Sequence, residues 1–232
     1  MPTLLFENQF LFAVSKESGI PSQSQGASPG TKEPPTVESW AREQFPEKKL
    51  HLLHRLDTGT SGVLLFAKSS KVFDEFRLKF KDREIQKHYL AWCAPTPQPK
   101  LLPSKTNFPF VMNLPLAHHP KSKKRMIVLP EGVHRNYRGK PLQALTLLHE
   151  IRPIETAGIS AYEMSIEIKT GVMHQIRVHL AHLGFPILGD PIYGTAVPEF
   201  PRLALHAQRM EFEYRGYHYR LESREPAFPR AL

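Results

Sequence analysis

The sequence predicts an α+β fold around a mixed sheet, and three observations carry that prediction. Apolar runs of strand length stand at residues 11–14, 62–68 and 87–93, and a two-residue alternation runs through 161–169. Two segments show helical character, one starting at Ser69 or Ser70 and one over 174–184. The strands differ in length and interleave irregularly with these helices, and no internal repeat is present.

Each element follows from its residues. The opening MPTLLFENQF breaks its apolar run at Glu7 and Asn8 and lacks a basic lead, so it does not read as a secretory signal. Residues 11–14 read as a short buried strand. The Ser-, Gly- and Pro-rich stretch after them has little to bury, which predicts a loop, flexible near 22–36. Residues 62–68, GVLLFAK, form a strand, and Ser69 or Ser70 caps a helix whose Val72, Phe76 and Phe80 share one face. The next strand is KHYLAWC at 87–93. Residues 94–109 contain Pro95, Pro97, Pro99, Pro103 and Pro109 and cannot be a sheet interior. Along 161–169, Tyr162, Met164, Ile166 and Ile168 point one way, with Glu163, Ser165, Glu167 and Lys169 opposite. Gly171 ends that strand. HQIRVHLAHLG then reads as a short helix stopped at Gly184, with Pro186 beyond. Near the end, Phe212, Tyr214, Tyr217 and Tyr219 flank Arg215-Gly216 in a hairpin pattern.

A chain of 232 residues with 41% hydrophobic content can bury a sizeable core, and it is read as a single domain over 1–232. Lys and Arg number 31 against 22 Asp and Glu, a net charge of +9, which favours a polyanionic partner such as nucleic acid. The single cysteine, Cys93, excludes an internal disulfide framework and a Cys-based zinc site and reads as buried packing in a reducing cytoplasm. No window approaches the roughly 20 apolar residues of a membrane span, so no membrane partner is expected.

The stretch HRLDTGTSG at 54–62 sets Asp57 in a tight polar turn just before an apolar strand. From its neighbours alone, Asp57 is better read as an Asx-type turn residue with Arg55 as a surface partner than as a reactive group. His174, His179 and His182 invite a metal reading, but their spacings of five and three offer no ligand pattern comparable to HExxH, and no metal is expected. Histidines bonded to backbone or RNA phosphate fit better. Arg177 lies on the same helix. Its interest depends on meeting Asp57, because a desolvated Arg would keep that carboxylate ionised. Tyr89 is either core or a cleft residue able to stack on a base. The run HHPKSKKRM at 118–126, with Lys121, Lys123, Lys124 and Arg125, is either a solvated loop or a phosphate-binding footprint that Arg135 and Arg138 extend.

Taken in order, HRLDTGTSG, KHYLAW, TGVMHQIRVHLAHLGFPILGDPIYG and RLALHAQRMEF resemble the motifs of the RluA-type family of pseudouridine synthases. FAVSKESGIPSQ resembles that family's opening strand and loop, and KRMIVLPEGVHRNYRGKPLQALTLLHEI its middle segment, so the likeness covers nearly the whole chain. The resemblance implies a mixed, mainly antiparallel central sheet with flanking helices and a catalytic cleft, and conversion of uridine in RNA to pseudouridine without a cofactor. It implies Asp57 as the catalytic aspartate, Tyr89 as the tyrosine against the target base and Arg177 as the arginine paired with the aspartate. Ile176 and Leu180 would fix the helix in the core, and Asp190 would order the turn GDPIYG. Arg55, His174 and the basic run are expected to contact RNA, either ribosomal or transfer RNA, by a monomeric enzyme. Two departures stand out: Val172 and Met173 replace the customary Arg-Thr or Arg-Ser, and SKESG at 15–19 replaces Lys-Pro-Ala-Gly. The first strand begins within the first dozen residues, so a separate N-terminal RNA-binding domain is not expected. Two other classes remain open: a noncatalytic RNA-binding protein on this fold, which would release no label from uracil C5, and a metal-dependent nuclease, which a chelator would inhibit.

Overall fold

Alternating and continuous apolar runs become strands because each has a buried face to satisfy, and the computed structural model shows where those faces meet. It describes residues 1–24, 26, 34–46, 49–100, 107–134, 136–194, 200–224 and 228. In chain order the elements are β1 (Thr3–Glu7), β2 (Leu11–Lys16), α1 (Val37–Gln44), β3 (His51–Leu52), β4 (Ser61–Ala67), α2 (Ser70–Lys81) and β5 (Gln86–Cys93). There follow β6 (Phe110–Asn113), β7 (Leu116–His118), β8 (Met126–Val128), β9 (Arg138–Leu142), β10 (Leu145–Thr156), β11 (Ile159–Ile168), α3 (Gln175–Leu183), β12 (Leu205–Tyr214) and β13 (Tyr217–Glu222). They fall into two compact units, Met1–Gln86 with His206–Pro226, and Lys87–Leu205 with Ala227–Leu232.

In the first unit β4 is buried along its whole length. It is flanked by β2 and β3, both antiparallel to it, and by β12, which is parallel. β1 extends this sheet beyond β2, and β13 pairs antiparallel with β12. The expected helix forms as α2: Ser69 accepts from the Val72 amide, and Val72 and Phe76 turn inward onto Leu65, Met210 and Phe212. Arg215 and Gly216 both adopt positive φ (51° and 78°), which gives the β12–β13 hairpin the turn its strand twist prefers.

The second unit contains the antiparallel order β5–β11–β10–β6 and a small antiparallel sheet β8–β7–β9. The helix α3 ends where the sequence placed its stop, with Gly184 at φ 86°; a Cβ there would stand 2.7 Å from Pro99 Cα.

The fold class is as expected, with parallel β4–β12 pairing making the sheet mixed and the other pairs given above antiparallel. Two details differ. A further helix, α1, stands after the loop, started by a reciprocal cap in which Thr36 and Ser39 each bond the other's amide. Glu167, assigned to the polar face of β11, is buried, because its carboxylate accepts from His149 at 3.1 Å and from Lys169. Residues 25 and 27–33 of the expected loop, and Pro103 and Arg135, lie outside the described residues. No helix among the described residues is long and apolar enough to cross a membrane.

Candidate active site

The turn carrying Asp57 is fixed from both sides in the first unit. Before it, Leu56 is buried and exchanges two bonds with the Ser22 hydroxyl, donating its amide at 3.0 Å and accepting at its carbonyl at 2.8 Å. Within it, the Thr60 amide donates to the Asp57 carbonyl at 3.0 Å. The Thr58 carbonyl accepts from the Gly19 amide at 2.8 Å and from Lys16 Nζ at 3.0 Å, and the Gly59 carbonyl accepts from Ser18 Oγ at 2.7 Å. SKESG, read as a loop that departs from the familiar pattern, is therefore the strap that holds this turn. After the turn, Ser61 Oγ meets His206 Nδ1 at 2.9 Å. Gly62 has φ +117°, and a Cβ on it would stand 2.1 Å from the Ala207 carbonyl oxygen. Its lack of a side chain is what lets β4 and β12 approach. Asp57 itself is half-buried and Arg55 exposed.

Lys16 is the cation of this region. It ends β2 fully buried, and its ammonium also donates to the Ile20 carbonyl at 2.7 Å and the Glu17 carbonyl at 3.0 Å. Burial lowers its pKa to about 8, and the negative charge of Asp57 works in the opposite direction. Nothing in the sequence pattern had singled out Lys16; its only signal is a lysine directly after an apolar run.

In the second unit Tyr89 lies on β5, opposite Ile166 of β11, and is 7% exposed. Arg177 is buried in α3. Its Nε and Nη2 each donate to an Asp190 carboxylate oxygen at 2.8 Å, a two-pronged ion pair with side chains 5% and 0% exposed. Asp190 Oδ1 also accepts from the Ile192 and Tyr193 amides at 2.9 and 3.1 Å, so it orders its own turn as the sequence suggested. Burial works to raise this carboxyl's pKa, but the Arg177 guanidinium and the two amides outweigh it and hold the group below its ordinary range. The Arg177–Asp190 pairing was not foreseen, since the two lie on different segments and only the motif GDPIYG marked Asp190.

Neighbouring polar groups fix α3. Gln175 Nε2 donates to Thr146 Oγ1 at 2.9 Å, and Thr146 meets His179 Nδ1 at 2.9 Å, with His179 Nε2 donating to the Leu114 carbonyl at 3.0 Å. Gln175 Oε1 accepts from Thr170 Oγ1 and from the Val172 amide. Both nitrogens of His179 thus have structural partners, and burial depresses its pKa, favouring the neutral ring. Ile176 and Leu180 are buried, as expected. Val172 and Met173 pack against Leu116, Met126 and Val178, so the departure from the customary arginine is absorbed by apolar contact. Among the described residues no group of three or more His, Cys, Asp or Glu is placed to hold a metal ion.

Lys121, Lys123, Lys124 and Arg125 are all exposed between β7 and β8, and Arg138 and Lys140 are exposed on β9. In the β7–β9 pairing, Arg138 stands opposite His118, at the start of the basic run. His174 is half-buried and holds a left-handed backbone (φ 57°) at the head of α3. Cys93 is buried, and burial, with Asp190 adding to it, pushes its thiol pKa up, which suits packing and not nucleophilic chemistry.

Comparison with known proteins gives the family. Residues 10–182 match the family model described as RNA pseudouridylate synthase. The dual-specificity RNA pseudouridine synthase RluA of Salmonella typhi is 31% identical over 228 residues, covering 97% of this chain and 92% of that protein. RluA of Escherichia coli K12 shows the same identity and coverage. Ribosomal large subunit pseudouridine synthase D of Nitrosomonas europaea is 29% identical over 224 residues, 91% of this chain and 58% of its own length. Among solved structures, human RNA Pseudouridylate Synthase Domain Containing 1 superposes with a TM-score of 0.76 at 22% identity, covering 97% of this chain and 84% of that one, a likeness of fold. The motif order, the strapped HRLDTGTSG turn and these matches together establish that the chain belongs to the RluA-type family of RNA pseudouridine synthases, isomerases acting on RNA.

Proposed function

We propose that this protein isomerises specific uridines of ribosomal or transfer RNA, with Asp57 as the nucleophile and the target base flipped out of its stack. The observation that carries the reading is the mount of Asp57. Leu56, Thr58 and Gly59 are each tied to the 16–22 strap, while the Asp57 side chain stays half-exposed. A carboxylate held on a rigid turn and only half-buried is what attack on a substrate requires.

The reaction breaks the N1–C1′ bond, turns the uracil and forms C5–C1′, with the C5 proton released and N1 left protonated. Asp57 attacks C1′ or the uracil ring, or assists elimination to a glycal, and each route returns the free carboxylate. Arg177, its guanidinium oriented by Asp190, takes the role of the aspartate's arginine partner in this reading. Lys16 adds a second positive charge to the field at Asp57. Tyr89 packs against the extracted base and places its phenol near the reacting atoms. Arg55, His174 and the exposed Lys121, Lys123, Lys124 and Arg125 contact the RNA backbone. Extraction costs a few kcal/mol and is cheapest in a loop. Residues 1–232 serve as one catalytic domain in this reading. The lone buried thiol of Cys93 suits a cytoplasmic site of action.

The test is a map of pseudouridines in total RNA from cells with and without the protein. Loss of one or a few positions in ribosomal or transfer RNA is expected. Identical maps would overturn the proposal and favour a noncatalytic RNA-binding role.

A further inference from the structure

We infer that Tyr193 is a positioning residue which couples RNA held on the basic segment to the orientation of Arg177. Two guanidiniums lie over the ring of Tyr193, with Arg125 Cζ 5.7 Å and Arg177 Cζ 5.4 Å from its centroid. One of these cations stands exposed at the end of the basic run; the other is buried and paired with Asp190. The phenol oxygen accepts the Met126 amide at 2.7 Å, immediately after Arg125, and meets His174 Nδ1 at 3.0 Å. The Tyr193 amide donates to the same Asp190 oxygen that takes Arg177 Nη2.

One side chain therefore touches the basic segment, the head of α3 and the Arg177–Asp190 pair. Each contact is specific in direction: cations sit over the ring, the Met126 amide points at its oxygen, and the His174 ring meets it edge-on at a centroid distance of 5.6 Å. When a phosphate draws Arg125 outward, the ring loses one of its two cations and the Met126 amide tends to move with its strand. Both changes act directly on the ring that backs Arg177. The ring packs against the apolar cluster that contains Leu116 and Met126, as Val172 and Met173 do. A residue filling space alone would not need this convergence of oxygen and ring contacts.

This inference rests on the proposed roles of Arg177 and the basic segment. It is tested with RNA tritiated at uracil C5, read as the single-turnover release rate at saturating RNA, alongside RNA affinity and melting temperature. Tyr193→Leu is expected to slow release by about ten- to a hundredfold, as a misplaced catalytic group does, while RNA affinity changes far less. Tyr193→Phe, which keeps the ring and its two cation contacts, should recover most of that rate. Arg125→Ala should slow release in the native background and add nothing in the Tyr193→Leu background. A double variant whose loss equals the product of the two single losses would overturn the coupling, as would a rate that follows melting temperature across the three Tyr193 and Arg125 variants. A readout independent of turnover is the Arg177 Nε–H proton resonance: RNA should shift it in the native protein and in Tyr193→Phe but not in Tyr193→Leu, and an equal shift in all three would also overturn the inference. Asp57→Asn serves as the control for the underlying reading. If that variant releases label at the native rate, the assignment of the chemistry fails, while the resonance still decides the coupling.

Discussion

Replacing Asp190 by Asn removes a charge from the most deeply buried ion pair described, and its cost follows from the geometry. Asp190 takes two bonds from Arg177 at 2.8 Å and two backbone amides, with neither side chain more than 5% exposed. An Asn side chain keeps one acceptor oxygen but turns an NH₂ donor toward either the guanidinium or the amides. Its volume is nearly unchanged, so no cavity contributes. Breaking a buried pair from one side costs about 3–5 kcal/mol. At about 2–4 °C per kcal/mol for a chain of this size, the melting temperature should fall by roughly 6–20 °C. The assay is a thermal melt followed by circular dichroism at pH 7, repeated on acidification. Because the folded Asp190 carboxyl lies below its unfolded pKa, its stabilisation is complete above the unfolded value and is lost as pH falls through the folded one. The gap between native and variant should therefore narrow below about pH 4. A variant that melts within about 2 °C of the native protein, or a gap that widens in acid, would refute the reasoning.

Three further outcomes follow from the structure. Gly62→Ala should cost more than about 3 kcal/mol, seen as a low melting temperature or insolubility, because its Cβ meets the Ala207 carbonyl; Gly132→Ala, with positive φ but nothing within 4 Å, should cost only about 1 kcal/mol. Lys16 has a folded pKa of about 8 against 10.5, so burying its charge is a penalty that is full below pH 8 and relieved as pH rises to 10.5. Urea unfolding should accordingly show the native protein gaining on Lys16→Met by at most about 3 kcal/mol over that window, and a flat or falling difference would contradict it. Lys123→Ala and Lys124→Ala should each lower the slope of log affinity against log salt by up to about 0.7 in filter binding to single-stranded RNA, with an unchanged slope placing those lysines off the RNA.

Much of the fold was legible because its signals are local. Ser69 followed by Val72 and Phe76 gives both the cap and the buried face of α2, and Gly184 stops α3 for a reason that a single residue carries. Asp57, Tyr89 and Arg177 are singled out by the resemblance of their motifs to the family's, and their roles stand as the proposal above. What the sequence hid depends on partners far away in it. Lys16 reads as a surface lysine until the Thr58 carbonyl, 42 positions later, is seen to accept a hydrogen bond from it. Glu167 fits the polar face of its strand until His149 and Lys169 bury it. Tyr193 reads as one more letter of GDPIYG, and only the fold brings Arg125, 68 positions earlier by numbering, over its ring. Helix α1 was hidden for a different reason: its cap sits at the end of a Pro- and Ser-rich stretch whose composition masks the start signal.

The central claim is that the strapped Asp57 carboxylate performs the isomerisation. Its most direct test is tritium release from RNA labelled at uracil C5, by the native protein and by Asp57→Asn at saturating RNA. The account predicts release by the native protein and none above background by the variant, with melting temperature and RNA affinity unchanged. Release by Asp57→Asn at the native rate would contradict it.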